Sequence, residues 1–269
     1  MSENPDSTPQ FVASETPAPE LGPPPEPPEQ EQPKKEQNGE IFWGWHDVVL
    51  FVMITVVAMV VAMLAGMGIR SLFHLSEARM NMVLVAAQFA AYGVSFTGLK
   101  LMFRAEYDEP LMASLHWLPA RIEPGRLVLM GMMLALGIAM ISAFMKVPQV
   151  DTPMNRLLAD RPTAILIAIV GVTIAPLAEE LAFRGLLQPL MVRSIGVTPG
   201  ILLTSVAFGA MHLEQYGAWQ SVVLITLAGC GFGAVRQWTG STRASAIMHA
   251  GYNAALVILY FFTQKGSGH

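Results

Sequence analysis

Seven long stretches of this chain contain no Asp, Glu, Lys or Arg, and they constrain its fold more than any other feature. They cover residues 48–69, 80–99, 127–145, 162–178, 194–213, 215–235 and 244–264. Crossing the hydrocarbon core of a bilayer takes roughly 20 mostly apolar residues in a helix. Lipid offers no hydrogen bonds to the backbone, so such spans must be helical, and the strand-like alternation of a membrane barrel is absent. The sequence therefore predicts an all-α, polytopic transmembrane helical bundle of about seven or eight spans.

The first 40 residues differ in composition from the rest of the chain. Ten of them are proline, and nine acidic residues against two lysines give them a net charge of −7. A segment of this kind buries too little apolar surface to offset its ordering entropy, so residues 1–40 are predicted to be a disordered tail with local polyproline II structure. A docking tail for a proline-recognising partner and a solvated extension without a specific role both stay open.

Two further features divide the remaining chain. The charged segment 103–126 contains apolar residues around Trp117, which favours an interfacial amphipathic helix with a tryptophan anchor. We therefore expect N-terminal membrane helices and this interfacial segment over residues 41–124, and a second membrane domain over 125–265. Proline removes a helical hydrogen bond and clashes with the preceding turn, so a break or kink is expected near Ala175 and Pro176.

Ionisable side chains are costly inside a bilayer, so the few that fall within the apolar stretches are candidate functional residues. Glu179 and Glu180 follow the expected break, and Arg184 comes four residues after Glu180. This spacing and order favour an ion pair between Glu180 and Arg184 on one helical face. Glu179 is rotated by about 100° from Glu180 and points elsewhere. The pattern predicts a paired, structural Glu180 and a basic, reactive Glu179.

Two histidines and an asparagine lie in the later apolar stretches. His212 comes four residues after Phe208, and His249 comes four residues before Asn253. Their positions along the expected helices allow them to share one pocket with the glutamates, part-way into the membrane. A carboxylate beside an imidazole can take a proton from water, and an imidazole with an amide on one face can stabilise an oxyanion. This set of residues favours hydrolysis.

Other interpretations stay open at this point. Glu179, His212 and His249 are candidate zinc ligands, with a water in the fourth position. The helical His-Glu-x-x-His signature of zinc enzymes is absent, and the single cysteine, Cys230, cannot form a thiolate cluster. A proton-coupled transporter or a non-proteolytic membrane scaffold could instead use Glu179 and Glu180 as a relay or packing element.

Taken in order, the motifs Glu-Glu-x-x-Phe-Arg, Phe-x-x-x-His and His-x-x-x-Asn resemble those of the CPBP intramembrane proteases. That family includes the CAAX prenyl endopeptidases of the Rce1 type and bacteriocin-processing relatives. The resemblance covers about residues 125–263. The matching residues are Glu179, Glu180, Phe183, Arg184, Phe208, His212, His249 and Asn253.

The resemblance implies an endopeptidase that cleaves a peptide or membrane-protein substrate in or near the bilayer. By resemblance, Glu179 and His212 activate the attacking water, His249 and Asn253 stabilise the oxyanion, and Glu180 and Arg184 support the site. Members of the family are described both as metalloproteases and as enzymes with glutamate-activated water, and we favour metal-free chemistry.

The same resemblance implies a multi-pass integral membrane protein, in the cytoplasmic membrane if the source is bacterial, with no nucleic-acid partner. The long acidic, proline-rich tail departs from the prenyl-processing members. Their substrate therefore does not carry over to this chain.

Overall fold

The computed structural model describes residues 41–147 and 151–266, and all the regular structure in these residues is helical, which confirms the all-α class. The predicted tail, residues 1–40, lies outside the described residues. In chain order the helices are α1 (Trp45–Phe73), α2 (Glu77–Glu106), α3 (Leu111–Ser114), α4 (Pro124–Met145), α5 (Pro153–Ala159), α6 (Arg161–Val172), α7 (Ile174–Glu180), a π-helical segment (Leu181–Leu187), α8 (Gln188–Ile195), α9 (Val197–Ala210), α10 (Leu213–Tyr216), α11 (Trp219–Thr239) and α12 (Thr242–Gly266).

The polytopic architecture is confirmed, but with fewer spans than the sequence predicts. In the described ranges, five helices are long and apolar enough to cross a membrane: α1, α2, α4, α11 and α12. The bent pair formed by α6 and the helix Ile174–Ile195 gives a sixth span when it is counted as one. The apolar stretch 194–213 forms only the 14-residue helix α9, because Gly196 with a φ of 91° ends the preceding helix. At 1.5 Å per residue, α9 is about 21 Å long and falls short of the hydrocarbon core.

The expected helix break is present just before the two glutamates. Helix α6 and the helix Ile174–Ile195 meet at 42°, with Thr173 between them. Pro176 lies in the first turn of α7, and a proline ring excludes the carbonyl four residues earlier, here that of Val172. This steric conflict moves the break to Thr173, three residues before the predicted position.

The prediction of an amphipathic helix over residues 103–126 is wrong. Within residues 103–126 the chain forms the end of α2, the four-residue helix α3, a loop and the start of α4. Asp108 and His116 both adopt a φ of 55°, a left-handed conformation that interrupts a helix. Pro119 adds a second interruption, since a proline disfavours helical geometry in the residue before it.

Part of the same loop packs inward against the bundle. Leu115 is fully buried, and its carbonyl accepts a hydrogen bond from Thr242 Oγ1 at 2.6 Å. Ser241 Oγ donates to the Leu118 carbonyl at 2.6 Å. The loop therefore joins the start of α12, the helix that carries His249 and Asn253.

A second long-range connection anchors the segment before α1. Trp43 is fully buried, and its indole Nε1 donates to the carbonyl of Leu186, in the π-helical segment, at 3.1 Å. The guanidinium of Arg193 donates to the carbonyls of Ile41 and Trp43. These bonds tie the N-terminal part of the bundle to the helix that follows the glutamates.

Helices α4 and α12 approach each other closely at two glycines. A Cβ atom on Gly131 would clash with the backbone carbonyl of Met248, and a Cβ on Gly251 would clash with the backbone of Val128. Backbone atoms cannot move aside as a flexible side chain can. The position of α12 against α4 therefore depends on glycine at these sites.

We expect Gly131→Ala to lower the free energy of unfolding by about 1–3 kcal/mol, because the added methyl group forces α4 and α12 apart. Gly137→Ala on the same helix is the matched control, since no atom lies within 4 Å of a Cβ there. Unfolding of both variants in detergent micelles measures the difference. Equal stability of the two variants would contradict the close packing of these helices.

Candidate active site

Three buried ionisable side chains, Glu180, Arg184 and His249, form what we call the buried triad. Arg184 Nη1 donates to Glu180 Oε1 at 2.9 Å, in the i,i+4 arrangement that the sequence predicts. His249 Nδ1, on α12, lies 3.0 Å from the same oxygen. Glu180 and Arg184 have no solvent exposure at all. Charges buried to this degree require such partners, and the triad therefore joins α7, the π-helical segment and α12.

The guanidinium of Arg184 makes further contacts besides the one to Glu180. Its Nη2 donates to the carbonyl of Gly229 at 2.9 Å, and its Cζ lies 4.5 Å from the ring centroid of Phe208 and 5.5 Å from that of Phe232. A Cβ on Gly229 would lie 3.1 Å from Nη2. This glycine on α11 therefore leaves room for the arginine side chain.

His249 lies between the two adjacent glutamates. Its ring stacks on Phe232 with 4.3 Å between the centroids. While Nδ1 faces Glu180, Nε2 lies 3.8 Å from Glu179 Oε2. The Glu179 side chain is 21% exposed, whereas that of Glu180 is fully buried. The two carboxylates thus occupy different environments, as their rotation on the helix predicts.

His212 follows the end of α9, and its Nδ1 lies 2.8 Å from the carbonyl of Phe208. A carbonyl oxygen only accepts hydrogen bonds, so Nδ1 carries the proton. In the neutral ring Nε2 is then the basic nitrogen. The rings of Phe208 and Phe183 meet edge to face at 5.2 Å, which supports this turn.

Asn253 lies one helical turn after His249 on α12. Its Nδ2 donates to the carbonyl of Gly171 at 2.7 Å, close to the end of α6. This bond holds α12 against the helix that precedes the bend. One of the two amide N–H groups of Asn253 is engaged in it, and its role toward an oxyanion stays a prediction.

A cavity of about 460 Å³ connects these residues. Glu179, His212, His249 and Asn253 all line it, together with apolar residues from α2, α5, α6 and α12. The volume lies within the range of small-molecule and peptide sites, roughly 300–1,000 Å³. The pocket expected from helix positions is therefore present, and His249 of the buried triad lines it.

The donor atoms of the candidate zinc ligands do not fit a shared ion in this structure. Among the described residues, Glu179, His212 and His249 do not bring one donor each within 4.8 Å of one another. The Nδ1 atoms of the two histidines already face Phe208 and Glu180.

In the described part of the chain, one group of ionisable side chains does bring its donor atoms within 4.8 Å of one another. It consists of His46, Asp47 and Glu106, where α1 begins and α2 ends. Asp47 accepts hydrogen bonds there from the Gly44 amide and the Tyr107 hydroxyl. Burial, followed by the hydrogen bond to Asp47, raises the pKa of Tyr107 to about 12. These bonds account for the cluster as a connection between two helix ends.

Residues 161–255 match the family model of the type II CAAX prenyl endopeptidases, Rce1-like. The match runs from α6 into α12 and includes all eight motif residues, although it is shorter than the expected range of 125–263. No curated protein and no solved structure matches the chain. The family match confirms the resemblance. Over this segment the chain is similar to the Rce1-like family of peptide hydrolases.

We expect Arg184→Met to lower the free energy of unfolding by about 3–5 kcal/mol, because Glu180 would remain buried without its cationic partner. The double variant Glu180→Gln/Arg184→Met should regain part of this loss, since it removes both charges. Arg104→Met, which removes an exposed arginine paired with Asp108, is the control and should change little. Denaturant unfolding in micelles measures all three. An Arg184→Met protein as stable as the wild type would contradict the triad's structural role.

Proposed function

We propose that the chain hydrolyses a peptide bond in a membrane-associated peptide or protein, using a water molecule activated in the cavity. The observation that carries this proposal is that Glu179, His212, His249 and Asn253 line one cavity, in a segment that matches a peptidase family. His249 belongs both to this lining and to the buried triad, and its bond to Glu180 holds its ring in position. If the source is bacterial, the cytoplasmic membrane is the proposed location.

Glu179 is the proposed proton acceptor for the attacking water. It is the carboxylate that lines the cavity, and its neighbour Glu180 is already paired with Arg184. The water oxygen attacks the carbonyl carbon of the substrate as its proton passes to Glu179, and that proton then moves to the amide nitrogen. The C–N bond breaks, and the carboxylic acid that forms gives its remaining proton to the released amine, so the products are a carboxylate and an ammonium. His212 Nε2 shares the task by orienting the water.

His249 is the proposed donor to the oxyanion. With Nδ1–H donated to Glu180, a protonated ring presents Nε2–H toward the cavity, and the carboxylate of Glu180 stabilises that imidazolium. The stacked Phe232 fixes the ring plane, so the donor needs no reorganisation during the reaction. The second N–H of the Asn253 amide is the proposed partner donor.

We expect Glu179→Gln to lower kcat/KM by about 100-fold or more, the range typical of a lost general base. Glu214→Gln is the matched control, since Glu214 is exposed and does not line the cavity. Both variants and the wild type are reconstituted in vesicles with membrane-protein peptides, and the products are identified by mass spectrometry.

Unchanged turnover in Glu179→Gln would overturn the proposed mechanism. The same vesicles also test the other classes. A proton-coupled transporter predicts flux that follows a pH gradient, with no cleaved product. A scaffold predicts neither flux nor cleavage, and a loss of partner binding or stability alone.

A further inference from the structure

The π-helical segment directly follows the two adjacent glutamates, and its wide turn has a cause in the sequence. The amide of Gln188 donates to the carbonyl of Phe183, five residues earlier instead of four. Pro189 follows as the second residue of α8, and in α-helical geometry its ring would clash with the carbonyl of Gly185. A wider turn relieves this conflict. Return of the segment to α-helical geometry would rotate the residues before it relative to those after it, so the direction of the glutamates depends on this turn.

One face of the π-helical segment packs on Trp43, from the stretch before α1. The indole Nε1 donates to the Leu186 carbonyl at 3.1 Å, and the ring belongs to the same buried apolar cluster as Leu181 and Leu186. In an α-helix, residues five positions apart point about 140° away from each other. The i→i+5 turn brings such residues closer to one face. The cluster around Trp43 therefore fits the wide turn better than an α-helical one.

Another face of the same region is attached to α11. Arg184 Nη2 donates to the Gly229 carbonyl at 2.9 Å, and Gln188 Nε2 donates to the Gly233 carbonyl at 3.0 Å, one helical turn further along α11. These two bonds come from within residues 161–255, the range of the family match. Trp43 lies outside that range, so it adds a support for the turn that the matched segment does not itself contain.

Trp43 is itself held firmly in place. It is 1% exposed, and a buried indole N–H needs an acceptor such as the one it has. Its ring packs against Phe42 and Phe103, with centroid separations of 5.2 and 5.8 Å. The guanidinium of Arg193, on α8, donates to the carbonyls of Trp43 and Ile41. The stretch before α1 is thus bonded to the chain at both the π-helical segment and α8.

Building on the proposed function, we propose that Trp43 is a positioning residue for the reaction. Its bond to Leu186 holds the wide turn, and the wide turn directs Glu179 into the cavity. Neither Trp43 nor any residue of the π-helical segment lines the cavity. Trp43 therefore acts on the placement of the proposed proton acceptor and not on the binding of the substrate. Loss of its bond should lower kcat and leave KM unchanged.

The test substitutes Trp43→Phe, which keeps an aromatic ring and removes the indole N–H. In vesicles, with a peptide that the wild type cleaves, we expect kcat to fall about tenfold and KM to stay within about twofold. Hydrogen exchange of the backbone amides of residues 181–188, followed by mass spectrometry on the full chain, should become faster. Arg193→Met releases the Trp43 carbonyl without removing a buried ring, and it should change kcat and exchange in the same direction.

Two controls separate this role from a general loss of stability. Tyr107 packs against the same cluster, and Tyr107→Phe keeps its ring while removing a hydroxyl that donates to Asp47. Phe103→Leu weakens the packing around Trp43 without removing the indole N–H. Both controls should lower the midpoint of denaturant unfolding, as Trp43→Phe does. They should keep kcat and the exchange of residues 181–188 close to the wild-type values.

The outcomes distinguish this inference from the function on which it rests. A kcat of Trp43→Phe equal to that of the wild type, or a fall in kcat shared by both controls, would overturn the inference and leave the proposed hydrolysis intact. A wild type without cleavage that depends on Glu179 would overturn the proposed function. Hydrogen exchange would then still decide whether Trp43 holds the turn, because unchanged exchange of residues 181–188 in Trp43→Phe would contradict it.

Discussion

The buried carboxylate of Glu180 is the group on which the arrangement of the site depends. A charge in this position is costly unless it is paired and hydrogen-bonded, and both partners come from elsewhere in the bundle. Arg184 reaches it across one helical turn and continues to the Gly229 carbonyl on α11, while His249 reaches it from α12. The electrostatic requirement of one carboxylate thereby fixes three helical segments relative to one another.

This constraint gives the adjacent glutamates different environments. Because Glu180 engages His249 through Nδ1, the other ring nitrogen is directed toward Glu179 and the cavity. The bend at Thr173 and the π-helical segment Leu181–Leu187 lie on either side of the pair, and π-helical turns frequently occur at functional sites.

Local rules predicted much of this site from sequence, and long-range contacts account for what they missed. The i,i+4 spacing of Glu180 and Arg184 and the scarcity of charge identified the ion pair and the motif residues. The bond from Trp43 to Leu186 and the inward packing of the loop at Leu115 join positions more than 100 residues apart, which no local pattern encodes. The π-helical segment has no distinctive composition. The apolar stretch 194–213 was expected to cross the membrane as one helix. Hydropathy alone does not detect the helix boundary at Gly196.

The most direct test of this account compares the unfolding free energies of Glu179→Gln and Glu180→Gln in the same micelles. The two substitutions are chemically identical and one residue apart. We predict that Glu180→Gln loses about 3 kcal/mol or more, because Arg184 is left buried without its counter-charge. Glu179→Gln, which changes a partly exposed cavity residue, should stay within about 1 kcal/mol of the wild type. Equal losses in the two variants, or a larger loss for Glu179→Gln, would contradict the division of roles between the two carboxylates.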